Sequence, residues 1–219
     1  MPDGNVLLVE GPDDLHMLLH LFGNYMIPAE EMRQRTLPAN KIGIKQEGGI
    51  DTLLQNLGVW IKGSETQRLG IIVDADTDIA ARWQALGDRL RNAGYTNVPK
   101  APDVDGTIIT QPNLPAVGIW LMPDNTLPGM LEDFVRFLVP TDDVLWTKAE
   151  QCLQTLSPAE RRFPVTQQIK AHVHTWLAWQ EEPGKPIGQA ITKHYLDPNV
   201  LQAQQLIGWI RRLFKFPSA

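Results

Sequence analysis

The chain has 219 residues, 43% of them hydrophobic and 21% charged, enough to bury one substantial core and not the composition of a disordered chain. Its formal net charge of −5 argues against a protein that holds nucleic acid mainly by electrostatics, because such proteins are usually basic. The single cysteine, Cys152, excludes an intramolecular disulfide and a cysteine-rich zinc site, and fits a reducing, cytoplasmic setting.

Met1 to Asn5 carries no basic segment and leads directly into the apolar run Val6 to Val9, which predicts a strand and turn rather than a signal peptide. No apolar run reaches the roughly 20 residues of a membrane span. Asn5 to Val9 reads as a short buried strand. After Gly11-Pro12, Leu15, Leu18, Leu19 and Phe22 recur on one helix face, and Gly23 ends it. Lys41 to Lys45 predicts a second strand, and Gly48-Gly49 opens a helix bearing Ile50, Leu53, Leu54, Leu57 and Ile61. Leu69 to Val73 is an apolar strand, followed by a helix with Ile79, Trp83, Leu86 and Leu90 in register. Pro99 to Pro115 reads as a loop that holds a short hairpin strand at Thr107 to Thr110. Val117 to Met122 predicts a strand and Met130 to Leu138 a helix.

Strands separated by helices imply crossover connections and a largely parallel sheet. Beyond Pro140 the pattern is helical, at Val144 to Leu156, Val165 to Gln180 and Val200 to Phe214, with Pro183-Gly184-Lys185-Pro186 as a break. The expected fold class is therefore α/β, a mainly parallel sheet flanked by helices. Residues 1–140 form the sheet domain, and residues 141–219 form a helical C-terminal region packed on it.

Two acidic segments follow strands: Val9-Glu10-Gly11-Pro12-Asp13-Asp14 and Ile71-Ile72-Val73-Asp74-Ala75-Asp76. Sites in parallel α/β sheets form at the carboxyl ends of strands, and both segments fall on that edge. If the strand runs through Asp74 and Asp76, alternation directs both carboxylates the same way. Two like charges about 4 Å apart repel by about 4 kcal/mol at an effective dielectric near 20, and Glu10 adds a third. Such a cluster calls for a cation, and hard oxygen donors favour Mg²⁺, Mn²⁺ or Ca²⁺ over zinc.

A strand ending in Glu-Gly, followed some sixty residues later by a strand ending in Asp-x-Asp, resembles the Toprim domain over Asn5 to Phe134. That family includes topoisomerases, bacterial primases, recombination proteins and OLD-type nucleases. The resemblance implies that Asp74 and Asp76 hold Mg²⁺ (or Mn²⁺) and that Glu10 is a metal ligand or general acid/base. Asp14 matches a further metal-binding acidic position of OLD-type nucleases. Trp120-Leu121-Met122-Pro123-Asp124-Asn125 and Gly129-Met130-Leu131-Glu132-Asp133-Phe134 add Asp124 and Glu132 as candidate metal ligands at the same sheet edge. With Lys170 to Trp179 and Pro183 to Pro186, these segments resemble a family of uncharacterised Toprim-containing bacterial proteins over nearly the whole chain. OLD-type nucleases use a lysine to stabilise transition-state charge. Lys170 and Lys185 both read most simply as solvated lysines, but Lys185 sits in a Pro-Gly turn that could reach a site and is the candidate catalytic lysine.

Plainer roles stand beside these. Asp78 reads as the cap of the next helix and Asp133 as solvent-facing. His16 and His20 have the spacing of a zinc pair but no third ligand. The seven tryptophans fall mostly in helix-core registers, so packing rather than base stacking is expected. The leading functional expectation is a metal-dependent phosphoryl-transfer enzyme, a nuclease hydrolysing phosphodiester bonds, with nucleic acid as its partner. The alternative is a non-enzymatic or partner-activated regulatory module with a protein partner, for example in phage defence. A topoisomerase, which needs a nucleophilic tyrosine and large DNA-clamping domains, and a complete primase are not expected of a chain this short. A haloacid-dehalogenase reading of Asp74-Ala75-Asp76-Thr77 leaves Glu10-Gly11 unexplained.

Overall fold

The computed structural model describes residues 4–33, 40–63 and 66–217; the expectation placed on Met1 to Asp3 lies outside them. Strands and helices alternate as β1 (Asn5–Val9), α1 (Pro12–Asn24), β2 (Ala29–Glu31), β3 (Ile42–Gln46), α2 (Ile50–Lys62), β4 (Arg68–Asp74), α3 (Ile79–Ala93), β5 (Thr107–Ile109), β6 (Ala116–Met122) and α4 (Leu131–Leu138). The helices α5 (Val144–Gln154), α6 (Gln168–Ala178), α7 (Ile187–Thr192) and α8 (Leu201–Phe214) complete the chain. The α/β class is as expected. Six strands lie in the order β2-β3-β1-β4-β6-β5. All neighbours are parallel except β5, which pairs antiparallel with β6 at the edge.

The central strands are apolar throughout because helices cover both faces. Val6, Leu8, Leu69, Ile71, Val73, Val117, Ile119 and Leu121 point to the face covered by α2 and α3. Leu7, Val9, Ile42, Ile44, Ile72, Trp120 and Met122 point to the other, where α1, α4 and α6 to α8 share one core with them. The C-terminal helices are thus part of the main core rather than an appendage. Helix α8 lies close against β4 and β6, where Gly70 and Gly118 leave room for Leu213, Phe214 and Trp209.

Two elements escape the sequence pattern. Strand β2 has three residues, none of them fully buried, too few to show alternation. Helix α7 has six, less than two turns, so no 3.6-residue period can be read. Among the described residues, no helix is long and apolar enough to cross a membrane.

The strand order places a topological switch between β1 and β4. From β1 the chain moves outward to the edge strand β2, comes back as β3 beside β1, and then crosses to the other side as β4. The loop after β1 leads to α1 on one face, and the loop after β4 leads to α3 on the other. A crevice opens at the carboxyl ends of such a strand pair, the usual ligand position in open α/β sheets.

Candidate active site

Glu10, the first residue beyond β1, sits in that crevice. Its Oε1 accepts the Asp74 backbone N–H at 2.9 Å, tying the ends of β1 and β4 together. Its carbonyl accepts the N–H groups of Gly48 and Gly49 at 3.0 and 2.9 Å, so the loop opening α2 folds over it. Gly48 (φ +79°) and Gly49 (φ +112°) hold left-handed backbone that other residues rarely adopt. Burial raises the Glu10 pKa, opposed by the Asp74 N–H and the Arg82 charge.

Asp14 and Asp74 complete the inner wall. Asp14 is buried in the first turn of α1, where its Oδ2 accepts the Gly11 N–H at 3.0 Å. Burial, with the Glu10 and Glu132 charges, pushes its carboxyl up to about 7. Asp74 Oδ1 accepts the Leu131 N–H at 2.9 Å, capping the first turn of α4. Burial first, and then the charges of Asp14, Glu10, Glu132 and Asp76, push Asp74 up to about 9. Glu132, in the next residue of α4, is 3% exposed. Its Oε1 lies 3.1 Å from Lys170 Nζ of α6, which also stands 3.9 Å from Asp13. Burial pulls the Lys170 ammonium down, but the surrounding carboxylates outweigh it and leave the pKa raised. Together these side chains line a cleft of about 390 Å³ with Gly48, Gly49 and Leu131.

Four of the six expected acidic ligands therefore meet in one cleft: Glu10, Asp14, Asp74 and Glu132. Asp76 does not join them. Strand β4 ends at Asp74, and Asp76 turns the chain with φ +53°, so alternation fails at the residue where it was needed. Its backbone exchanges two hydrogen bonds with Gly129, at 2.9 and 2.7 Å, and its carboxylate pairs with Arg82. Asp124 is committed to the turn after β6, where its Oδ1 accepts from Thr126 N, Thr126 Oγ1 and Leu127 N, each at 2.9 Å. Lys185 is not brought to the cleft either; it pairs with Glu182 at 2.9 Å, and Lys170 occupies the place expected of it. Asp133 is half-buried rather than solvent-facing, and its Oδ2 accepts the Met130 N–H at 2.9 Å. Asp78 caps α3 through the Ala81 N–H, as expected.

Sequence reasoning passed over Arg82, one turn into the helix that follows Asp-x-Asp. Its Nε donates to the Asp74 carbonyl at 2.9 Å. A basic residue four positions after the helix cap at Asp78 was the available signal. His20 meets α7, where its Nδ1 hydrogen-bonds Thr192 Oγ1 at 2.7 Å.

The donors in the cleft are carboxylate oxygens, which suit a hard divalent cation. Burial and mutual repulsion push two of the acids, Asp14 and Asp74, up to about 7 and about 9, and a cation would relieve that. Among the described residues, however, no group of three or more His, Cys, Asp or Glu side chains is disposed to hold a metal by itself. An ion held here would therefore take at most two of these carboxylates directly and keep water in the rest of its shell, as Mg²⁺ commonly does.

Comparison with curated proteins and with solved structures returned no match. A family described as "Protein of unknown function (DUF3226)" matches residues 4–215, and the chain belongs to that family.

Proposed function

We propose that this protein is a divalent-metal-dependent phosphoryl-transfer enzyme on a Toprim-like domain, a nuclease hydrolysing phosphodiester bonds. The observation that supports it is the meeting of Glu10, Asp14, Asp74 and Glu132 with Lys170 in one open cleft at the switch point of the sheet. Of Asp74, Asp14 and Glu132, one or two would hold Mg²⁺ or Mn²⁺ directly, and the others would hold it through its water shell. Bound there, the ion would polarise a phosphate oxygen and acidify a water molecule. Glu10 is fixed by the Asp74 N–H through Oε1, and its raised pKa suits a proton held transiently on Oε2. Lys170 gives one N–H to Glu132 and keeps others for phosphate oxygens, where charge develops during transfer.

The test is incubation with plasmid DNA, single-stranded DNA and RNA in Mg²⁺, Mn²⁺ or EDTA, alongside Glu10→Gln and Asp74→Ala. Metal-dependent cleavage lost in both variants supports the reading. Cleavage that survives in both, or no cleavage under any condition, counts against it.

A second reading, a regulatory or partner-activated module, is favoured by the charge balance. Among the described residues, Lys170 and Arg82 beside the acids are both already paired with carboxylates, and the chain carries a formal net charge of −5. A protein partner would then supply the basic surface that nucleic acid needs. A cytoplasmic setting goes with either reading, since the one cysteine, Cys152, is free and exposed.

A further inference from the structure

Beside the acidic cleft, across the end of β4, lies a second cleft of about 260 Å³. It is lined by Asp76, Thr77, Asp78, Ala81, Arg82 and neighbouring alanines. One residue separates the two spaces: the Asp74 side chain lines the first, and its carbonyl is held by Arg82, which lines the second. The Arg82 guanidinium is fixed on two sides, Nε on the Asp74 carbonyl and Nη2 on Asp76. Its Nη1 makes no hydrogen bond to any described residue. The side chain is 13% exposed, whereas that of Asp76 is 52% exposed. A guanidinium held rigid by its neighbours, with one nitrogen uncommitted at a cleft, is preorganised to bind a phosphate oxygen. The half-exposed Asp76 carboxylate is the group with which a phosphate would compete for Nη2.

We propose that Arg82 and this second cleft form a subsite for a phosphate adjacent to the one in the acidic cleft. The ligand class is then a chain with at least two neighbouring phosphates, an oligonucleotide or a diphosphate, rather than an isolated monoester. The inference rests on the phosphoryl-transfer reading for the first phosphate only. Arg82 is a positioning residue: it grips the ligand and does not touch the reacting atoms.

The test reads binding, not turnover. A short labelled single-stranded oligodeoxynucleotide is titrated with the whole protein, in EDTA and in Ca²⁺, and followed by fluorescence anisotropy over a range of salt. Unlabelled pyrophosphate and inorganic phosphate serve as competitors. Arg82→Gln is expected to weaken binding roughly tenfold and to lower the salt slope by about 0.7, the value of one single-strand phosphate contact. Asp76→Asn, which leaves the guanidinium unpaired, is expected to tighten binding. Pyrophosphate is expected to compete better than phosphate in the wild type and to lose that advantage in Arg82→Gln. If the oligonucleotide does not bind, pyrophosphate is titrated directly by calorimetry; binding there that Arg82→Gln weakens makes the ligand a diphosphate, and the subsite stands. Should Arg82→Gln keep the wild-type melting temperature, affinity and salt slope, the subsite is overturned. Arg82→Met, which keeps the length of the side chain without its charge, covers a Gln variant that fails to fold, and wild-type affinity and salt slope in it have the same meaning. Failure to bind any phosphate probe also overturns the subsite, whereas the metal-dependent cleavage assay alone judges the acidic cleft.

Discussion

The Glu10 carboxylate and the Asp74 backbone are joined by a 2.9 Å hydrogen bond across two adjacent parallel strands. The bond makes the two acids one unit: Glu10 is positioned by the same residue whose side chain reaches toward α4. It is also one of three backbone hydrogen bonds that hold the acids of the cleft in place. Backbone N–H groups of Asp74, Gly11 and Leu131 each take one carboxylate, and those of Gly11 and Leu131 lie at helix starts, where the backbone dipole favours negative charge.

Replacing Asp74 should separate stability from metal affinity. Asp74→Asn keeps an oxygen for the Leu131 N–H but removes a buried charge surrounded by Asp14, Glu10 and Glu132. In EDTA near pH 9 and above, where the wild-type carboxyl ionises, the variant is expected to melt higher. A gain of about 1–2 kcal/mol corresponds to roughly 2–8 °C for a chain of this size. The same variant should lose the stabilisation that Mg²⁺ gives the wild type. Thermal melts with and without Mg²⁺ measure both, and a variant stabilised by Mg²⁺ as fully as the wild type would remove Asp74 from the ligand set.

The pH dependence of the metal-free protein follows from Asp14 and Asp74. Their folded pKa values, about 7 and about 9, lie above the ordinary 3.8. The folded state therefore keeps protons that the unfolded chain has released, and folding is increasingly opposed as pH rises. Their contribution is full below about pH 3.8 and is lost as pH rises through about 7 and then about 9. In EDTA the melting temperature should fall across that window. Mg²⁺ at about 100 times its dissociation constant adds about 2.7 kcal/mol and should offset the fall at pH 8. A melting temperature independent of pH between 5 and 9 in EDTA would show that the acids are not held as described.

Lys170 and Glu132 offer a stability test independent of any reaction. Glu132 is 3% exposed and has Lys170 as its ion-pair partner at 3.1 Å. Removing one member of a fully buried pair costs about 3–5 kcal/mol. Lys170 is 43% exposed, so water replaces it in part and about 1–2 kcal/mol is expected for Lys170→Ala. The double variant Lys170→Ala/Glu132→Gln should recover part of that loss, because the stranded charge is gone. Lys185→Ala, whose partner Glu182 is at the surface, should stay within about 0.5 kcal/mol of wild type. Equal denaturation midpoints for Lys170→Ala and wild type would show that Glu132 does not depend on its partner.

Most of the sheet was legible because β1, β4 and β6 are apolar runs bounded by turn residues, and both the order and the length of such runs are local properties. Glu10 and Asp74 were legible for the same reason, since each directly follows a run. Asp76 was not, because its position depends on two hydrogen bonds to Gly129, more than fifty residues away. The choice between Lys170 and Lys185 was not legible either. Lys170 reaches the cleft only because α6 packs against α4, a tertiary fact that no spacing in the C-terminal region encodes. Strand β2 and helix α7 were too short for any period to show.

The packing of α8 predicts that the sheet and the C-terminal helices unfold as one unit. A Cβ added at Gly118 would stand 2.5 Å from Leu213 Cδ2 and 2.9 Å from Trp209 Cζ2. Overpacking of that kind costs about 1–3 kcal/mol, and Leu213 can relieve part of it by rotating. At Gly106 the added Cβ would meet the Trp209 ring at 2.4 and 2.6 Å and Trp120 at 3.0 Å, with φ at +86°. A ring flanked by a second tryptophan cannot step aside, and a left-handed backbone strains any side chain. Gly106→Ala is therefore expected to cost more than Gly118→Ala, and both should lower a single cooperative transition in urea. Trp209 spans this contact, so tryptophan fluorescence and far-ultraviolet circular dichroism should report the same midpoint. Two separated transitions would mean that residues 141–219 fold as an independent unit, despite the core that they share with the sheet.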